Sequence, residues 1–218
     1  MEAQFWHERW QTADIAFHEP QPNTFLVRWL HQLGLTQGDT VLVPLCGKTM
    51  DIGWLLEQGF KVIGVELSSI AVEQLFESLG MKPKIEPHGK FIKYEAGDLI
   101  VLQGDIFYLG ENDLVAVNAI YDRAALVALT SSQRHDYSCL LQFICPQAKQ
   151  LVLTYEYDQS CYPGPPFSID EERLAELYGQ AYVLKKLLDE PVPNGLKQTI
   201  PATAVAWLLI PRSLFTEL

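Results

Sequence analysis

From Val41 onward, short runs of consecutive apolar residues alternate with longer stretches in which apolar positions recur every three or four residues. A continuous apolar run of four to eight residues fits a strand buried on both faces, and the longer period fits a helix with one face on a core. Strands are predicted at 41–44, 62–66, 99–103, 114–118, 151–155, 182–188 and 203–209, and helices at 51–58, 69–79, 131–144 and 169–178. This alternation is the signature of βα units wound on both sides of a mostly parallel sheet, an α/β doubly wound fold. Ser68, and Ser168 with Asp170, Glu171 and Glu172 behind it, read as helix starts, because a hydroxyl cap and negative charge suit the positive end of a helix dipole. Gly59 and Gly80 read as left-handed helix ends. Two segments break the rhythm: an aromatic-rich start (Phe5, Trp6, Trp10, Phe17) and the stiff loop Tyr162-Pro163-Gly164-Pro165-Pro166-Phe167; both could cover a pocket, or the first could be a helix docked on the sheet edge by its aromatics and the second only a turn. One domain over 1–218 is expected, with a lid and helix over 1–35 and the sheet core over 40–210.

Composition narrows the function. The 218 residues are 48% hydrophobic, ample for a core, and 16 Lys and Arg against 27 Asp and Glu leave a net charge of −11, the wrong sign for gripping nucleic acid phosphates. No apolar run is long enough for a membrane span, so a cytoplasmic, monomeric protein with no membrane or nucleic acid partner is expected. Cys46, Cys139, Cys145 and Cys161 form no C-x-x-C pair and are read as reduced thiols, and His7, His18, His31, His88 and His135 share no ligand spacing, so no metal is expected.

In open α/β sheets, ligands sit beyond the carboxyl ends of the strands. The turn after the first strand is Pro44-Leu45-Cys46-Gly47-Lys48-Thr49. Gly47-Lys48-Thr49 matches the end of a phosphate-gripping loop, but the glycine needed five residues earlier is replaced by Leu42, inside the strand. A dinucleotide turn needs three glycines and only Gly47 is present, which suits a nucleoside ligand without a diphosphate, such as S-adenosylmethionine. The second strand then ends in Glu66, 19 residues after Gly47, where a carboxylate accepts hydrogen bonds from the two ribose hydroxyls of a nucleoside.

Five segments in register carry a wider likeness. Trp6 and Trp10 with Ala16-Phe17-His18, Pro44-Leu45-Cys46-Gly47-Lys48, Gly64-Val65-Glu66-Leu67, Tyr121-Asp122-Arg123-Ala124-Ala125-Leu126-Val127-Ala128 and the proline loop 162–167 closely resemble the thiopurine S-methyltransferases, from about Phe5 through the fifth strand and its loop, fading towards the C-terminus. The length resembles a bacterial member. The resemblance implies a class I methyltransferase, Rossmann-like, with a seven-stranded sheet whose last strand is antiparallel and an N-terminal helical lid. It implies S-adenosylmethionine as cofactor and transfer of its methyl group to sulfur of aromatic or heterocyclic thiols such as thiopurines. By the same matching, Trp10 and Trp6 cover the cofactor, the Leu45 backbone meets its methionine part and Glu66 holds its ribose. Asp105 and Ile106 flank its adenine, Arg123 lies between cofactor and acceptor, and Phe17, Pro165 and Pro166 border the acceptor. One departure stands out: the family's Asp-Arg-Gly reads Asp122-Arg123-Ala124 here.

Other readings stay open. The acceptor could be selenium, tellurium or another small nucleophile, and a nucleoside-binding module without turnover is the rival outside enzymes. Lys48 could meet a carboxylate or be solvated, Asp122 could orient Arg123 or cap the turn that follows, and Cys46, with no histidine placed to activate it, reads as packing.

Overall fold

The structure, a computed structural model, describes residues 3–15 and 18–215. Its elements in chain order are α1 (Ala3–Gln11), α2 (Thr24–Trp29), β1 (Thr40–Pro44), α3 (Met50–Glu57), β2 (Lys61–Glu66), α4 (Ser69–Ser78), β3 (Lys84–His88), β4 (Phe91–Ala96), β5 (Leu99–Gln103), β6 (Ala119–Arg123), α5 (Ser131–Ile144), β7 (Lys149–Glu156), α6 (Glu171–Tyr178), β8 (Tyr182–Pro191) and β9 (Thr203–Pro211). They form two compact units, one extending to Tyr121 and one starting at Asp122.

In the first unit the strand order is β3-β4-β5-β2-β1-β6. The β5, β2, β1 and β6 strands run parallel, with Val62 opposite Leu99 and Val41 opposite both Val62 and Ala119. β1 is buried throughout and β2 from Val62 to Glu66, the pattern that unbroken apolar runs anticipate for strands covered on both faces. Thr49 and Ser68 cap α3 and α4 by accepting from the backbone N–H of Asp51 and Ala71, and Gly59 (φ 85°) and Gly80 (φ 64°) follow the helix ends in the left-handed conformation. In the second unit β9 lies antiparallel between β7 and β8, around a core of Tyr137, Tyr178, Tyr182 and Trp207, each all but fully buried.

Three expectations need correction. Nine strands form among the described residues, not seven: the charged hairpin β3–β4 was not anticipated, because it lacks an apolar run. It is held by buried Phe91 and Tyr94, by the pairing of β4 to β5, and by the cross-strand Lys93–Glu86 ion pair. The strand expected at 114–118 lies at Ala119–Arg123 instead: Val115 is 57% exposed, whereas residues 119–122 are buried, the acid Asp122 among them. Finally, α6 starts two residues late. Asp170 caps it by accepting from Arg173 N at 2.9 Å, while the Ser168 hydroxyl accepts from Tyr157 N at 3.0 Å.

The closest packing behind the first turn falls at Gly64 in β2, where a Cβ would lie 2.8 Å from Cys46 Sγ and 3.4 Å from Val101 Cγ2. Gly64→Ala is therefore expected to destabilise the protein by about 1–3 kcal/mol, the usual penalty of an overpacked core. Adding Cys46→Ala removes the sulfur and should recover most of the loss. Urea midpoints of the single and double variants check this, and equal losses in both would place the clash elsewhere.

Candidate active site

In the first unit the candidate residues gather at the carboxyl ends of β1, β2 and β5. Beyond Pro44 the chain turns through two residues in the left-handed region, Leu45 (φ 46°) and Gly47 (φ 53°). Leucine adopts that conformation at a cost of about 1–2 kcal/mol, so the turn is held by its surroundings. Cys46 N donates to Val65 O at 3.0 Å, Thr49 N donates to Cys46 O at 3.2 Å, and Gly47 N donates to Glu66 Oε2 at 2.8 Å.

Glu66 is the centre of this arrangement. Its second oxygen, Oε1, accepts from Ser68 N at 2.8 Å, so one buried carboxylate ties the turn after β1 to the start of α4. Burial pushes its pKa up, against the backbone donors Ser68, Gly47 and Leu67, which favour the charged form. Gly47 N and Ser68 N take one lone pair on each oxygen and Leu67 N adds a third donor, which leaves part of the carboxylate's acceptor capacity open to a vicinal diol. The backbone O of Glu66 accepts from Gly104 N at 2.9 Å, which brings the segment after β5 alongside: Asp105 caps the short turn Ile106–Tyr108 through Phe107 N at 3.0 Å, and Ile106 is buried.

Trp10, on α1, lies against the glycine turn: a Cβ on Gly47 would sit 3.1 Å from Trp10 Cζ2. Trp6 is one helical turn back on α1, half-buried and edge-on to Phe5. Phe17 lies outside the described residues. A single-glycine turn, a carboxylate with spare acceptors and an indole cover fit a nucleoside that carries no diphosphate.

Neighbouring groups take other parts. Lys48 Nζ donates to Gln74 Oε1 at 2.9 Å, an anchor to α4. Burial first, and the Glu66 charge second, push the Cys46 thiol well above its ordinary range, so it stays protonated and packs against Gly64.

In the second unit Arg123 ends β6, half-buried, and Ala124 follows at φ 65°. Asp122, fully buried, caps this turn: Oδ1 accepts from Leu126 N at 3.0 Å and Oδ2 from the Tyr137 hydroxyl at 2.6 Å. Sequence reasoning missed Tyr137. The available signal was its place on the buried face of a helix, since a buried tyrosine hydroxyl needs a polar partner. Pro165 and Pro166 sit in a loop fixed by its own carbonyls: Tyr157 Oη donates to Pro166 O at 2.6 Å and Tyr162 Oη to Pro165 O at 2.7 Å. Phe167 N donates to Val127 O at 2.7 Å, joining this loop to the turn that follows Arg123.

Burial raises the Asp122 pKa from 3.8 to about 6, so folding favours its neutral form. Its contribution to stability is fully present below pH 3.8 and is lost as pH rises towards about 6, a change of about 3 kcal/mol. Asp122→Asn, which cannot titrate, should lack that slope. Urea unfolding of both proteins between pH 4 and pH 7 measures the difference, and parallel curves would show that Asp122 does not titrate in this window.

Comparison with known proteins gives the family. The family model for thiopurine S-methyltransferase (TPMT) matches residues 1–205. Thiopurine S-methyltransferases from Xanthobacter autotrophicus and Teredinibacter turnerae are each 47% identical to the chain, over 96% of it and over 99% and 97% of their own lengths, so the likeness extends through the C-terminal third, where it was expected to fade. Among solved structures, a Burkholderia thailandensis N1-methyltransferase with bound S-adenosylhomocysteine shares the fold at a TM-score of 0.65 and 15% identity, covering 95% of this chain and 87% of that one. A methyltransferase from Anabaena variabilis does so at 0.64 and 13%, covering 96% and 94%. With a Rossmann-like α/β fold and the family's pattern matched over nearly its whole length, the chain belongs to the thiopurine S-methyltransferase family of S-adenosylmethionine-dependent methyltransferases.

Proposed function

We propose that the protein methylates sulfur of small aromatic or heterocyclic thiols, thiopurines among them. The observation that carries this reading is the Glu66 carboxylate, fixed by Gly47 N and Ser68 N at the end of β2, with the Trp10 indole against Gly47, an arrangement that supports a held nucleoside. S-adenosylmethionine supplies, when bound, a methyl carbon already activated by its sulfonium. Glu66 accepts from the ribose hydroxyls, the Leu45 backbone meets the methionine part, Asp105 and Ile106 flank the adenine, and α1 closes over the cofactor through Trp10 and Trp6, excluding water. Arg123 sets a permanent cation beside the acceptor, with Phe17, Pro165 and Pro166 at the acceptor's border.

A thiol suits these residues. The bound cofactor would supply both the activated methyl carbon and a neutral leaving group, and Arg123 would hold the acceptor sulfur towards it once the thiol proton has gone to solvent. A heterocyclic thiol is partly ionised near neutral pH and a neighbouring guanidinium favours its thiolate, so no strong base is demanded. Cys46, held protonated, takes no covalent part. The net charge of −11 supports a small-molecule acceptor over a nucleic acid, and the reading is completed by a monomeric cytoplasmic protein whose whole chain acts as one methyltransferase domain.

Glu66→Ala should weaken S-adenosylmethionine and S-adenosylhomocysteine alike, by about 1–3 kcal/mol, the loss of charge-assisted hydrogen bonds. Calorimetric titration of the folded variant reads this directly, and unchanged affinities would remove Glu66 from the cofactor site.

Arg123 bears on the acceptor. Arg123→Ala should lower kcat/KM for an aromatic thiol about tenfold or more with little change in thermal stability, and raising pH should recover part of the loss, because more acceptor is then ionised unaided. Arg123→Lys should fall between, a point charge replacing a planar fork. Product analysis with labelled cofactor against thiols, selenols, phenols and amines identifies the acceptor. Methylation confined to oxygen or nitrogen would overturn the thiol reading, and tight cofactor binding without any product would mark a binding module.

A further inference from the structure

We propose that Asp122 and Tyr137 are positioning residues that set the direction of Arg123 through the backbone; the proposal rests on the reading of Arg123 given above. The Asp122 carboxylate bonds to the turn that follows it and to Tyr137. Oδ1 accepts from Leu126 N at 3.0 Å, Ala125 N adds a second backbone donor, and Oδ2 accepts from Tyr137 Oη at 2.6 Å. These bonds close a ring around Arg123 and Ala124, the two residues that separate the carboxylate from its backbone donors.

Ala124 shows why closure is needed. Its φ of 65° is a conformation that an alanine resists, at the position where the family pattern has glycine. Left alone the turn would relax towards negative φ and re-aim the side chain of Arg123, its immediate neighbour. The clamp prevents this because its far end is itself immobile. Tyr137 is fully buried on α5 and is backed by Tyr178 of α6, whose ring packs edge-on against Tyr182 at 5.9 Å. A hydroxyl in that setting has one place to point.

The same turn carries a second load. Val127 O, one residue beyond the capped Leu126, accepts from Phe167 N at 2.7 Å, and Phe167 closes the proline loop with its ring under the Arg134 guanidinium, 5.4 Å from the ring centre. The clamp therefore fixes both Arg123 and the anchor of Pro165 and Pro166. Losing it should disturb kcat and the acceptor KM together.

A double-mutant cycle tests this. Tyr137→Phe, Asp122→Ala and Arg123→Ala, singly and with each clamp variant combined with Arg123→Ala, are compared by S-adenosylhomocysteine affinity from calorimetry and by kcat and KM with an aromatic thiol. Folding of each is checked by circular dichroism. If the pair acts through Arg123, Tyr137→Phe lowers kcat by about threefold or more in the wild-type background and leaves kcat unchanged in the Arg123→Ala background, a rise in acceptor KM through the proline loop being common to both. Equal losses of kcat in both backgrounds would overturn the proposal and leave the pair a purely structural role. If Arg123→Ala alone binds and turns over like wild type, the reading of Arg123 falls and the proposal with it. Should Asp122→Ala fail to fold, the Tyr137→Phe cycle, which removes one hydroxyl and no backbone cap, decides alone.

Discussion

A buried carboxylate holds the first unit's site together. Glu66 stands at the end of a strand that is otherwise apolar, where an ion without partners would be expelled or neutralised. It stays because two backbone N–H groups, from Gly47 and Ser68, converge on its oxygens at 2.8 Å each. The dependence runs both ways. Without the carboxylate the Gly47 amide would lack this acceptor, and the turn after β1, with Leu45 in a conformation leucine disfavours, would lose the bond that opposes its relaxation. The Trp10 indole of α1 rests against Gly47, so α1 touches the turn that this interaction holds.

The second unit solves the same problem with another acid. Asp122 is buried at the end of β6 and gathers backbone N–H groups and a phenol where Glu66 gathers backbone N–H groups only. In each case an acid at a strand end fixes a turn that contains a non-glycine residue at positive φ: Leu45 near Glu66, Ala124 beside Asp122. The acids differ in their donors: Glu66 is met by the amides of Gly47, Ser68 and Leu67, whereas Asp122 is met by those of Ala125 and Leu126 and by the Tyr137 hydroxyl, which ties it to α5.

Much of the fold was legible because buried parallel strands announce themselves as unbroken apolar runs, as Val41–Pro44 and Val62–Val65 do, and because Ser68, Gly59 and Gly80 cap and end helices by local chemistry that needs no tertiary knowledge. The hairpin β3–β4 was not legible. Its strands alternate charges, and the cross-strand pair of Lys93 with Glu86 exists only once the register is set. The displacement of the fourth parallel strand has the converse cause. Asp122 is a polar residue that reads as loop until Tyr137, fifteen positions away, neutralises the cost of burying it, while Val115 and its neighbours read as strand yet stay exposed. In the first unit's site, Glu66 was legible from its spacing to Gly47, but its two backbone donors were not, since a sequence names side chains and the donors here are amides.

The electrostatics also bear on how little chemistry the chain itself must supply. A methyl group on a sulfonium is already activated and the thioether it leaves behind needs no protonation, so on the reading proposed above the chain has to supply alignment, exclusion of water and a favourable charge for the incoming sulfur. The one thiol beside the glycine turn, Cys46, could in principle compete with that sulfur for the methyl group. Its burial and the neighbouring Glu66 charge hold it protonated, and its sulfur is packed against Gly64, where a single Cβ would already intrude. The carboxylate that fits a ribose therefore also keeps the protein's own nucleophile quiet: the negative charge that would accept from the diol is the charge that disfavours a thiolate at Cys46.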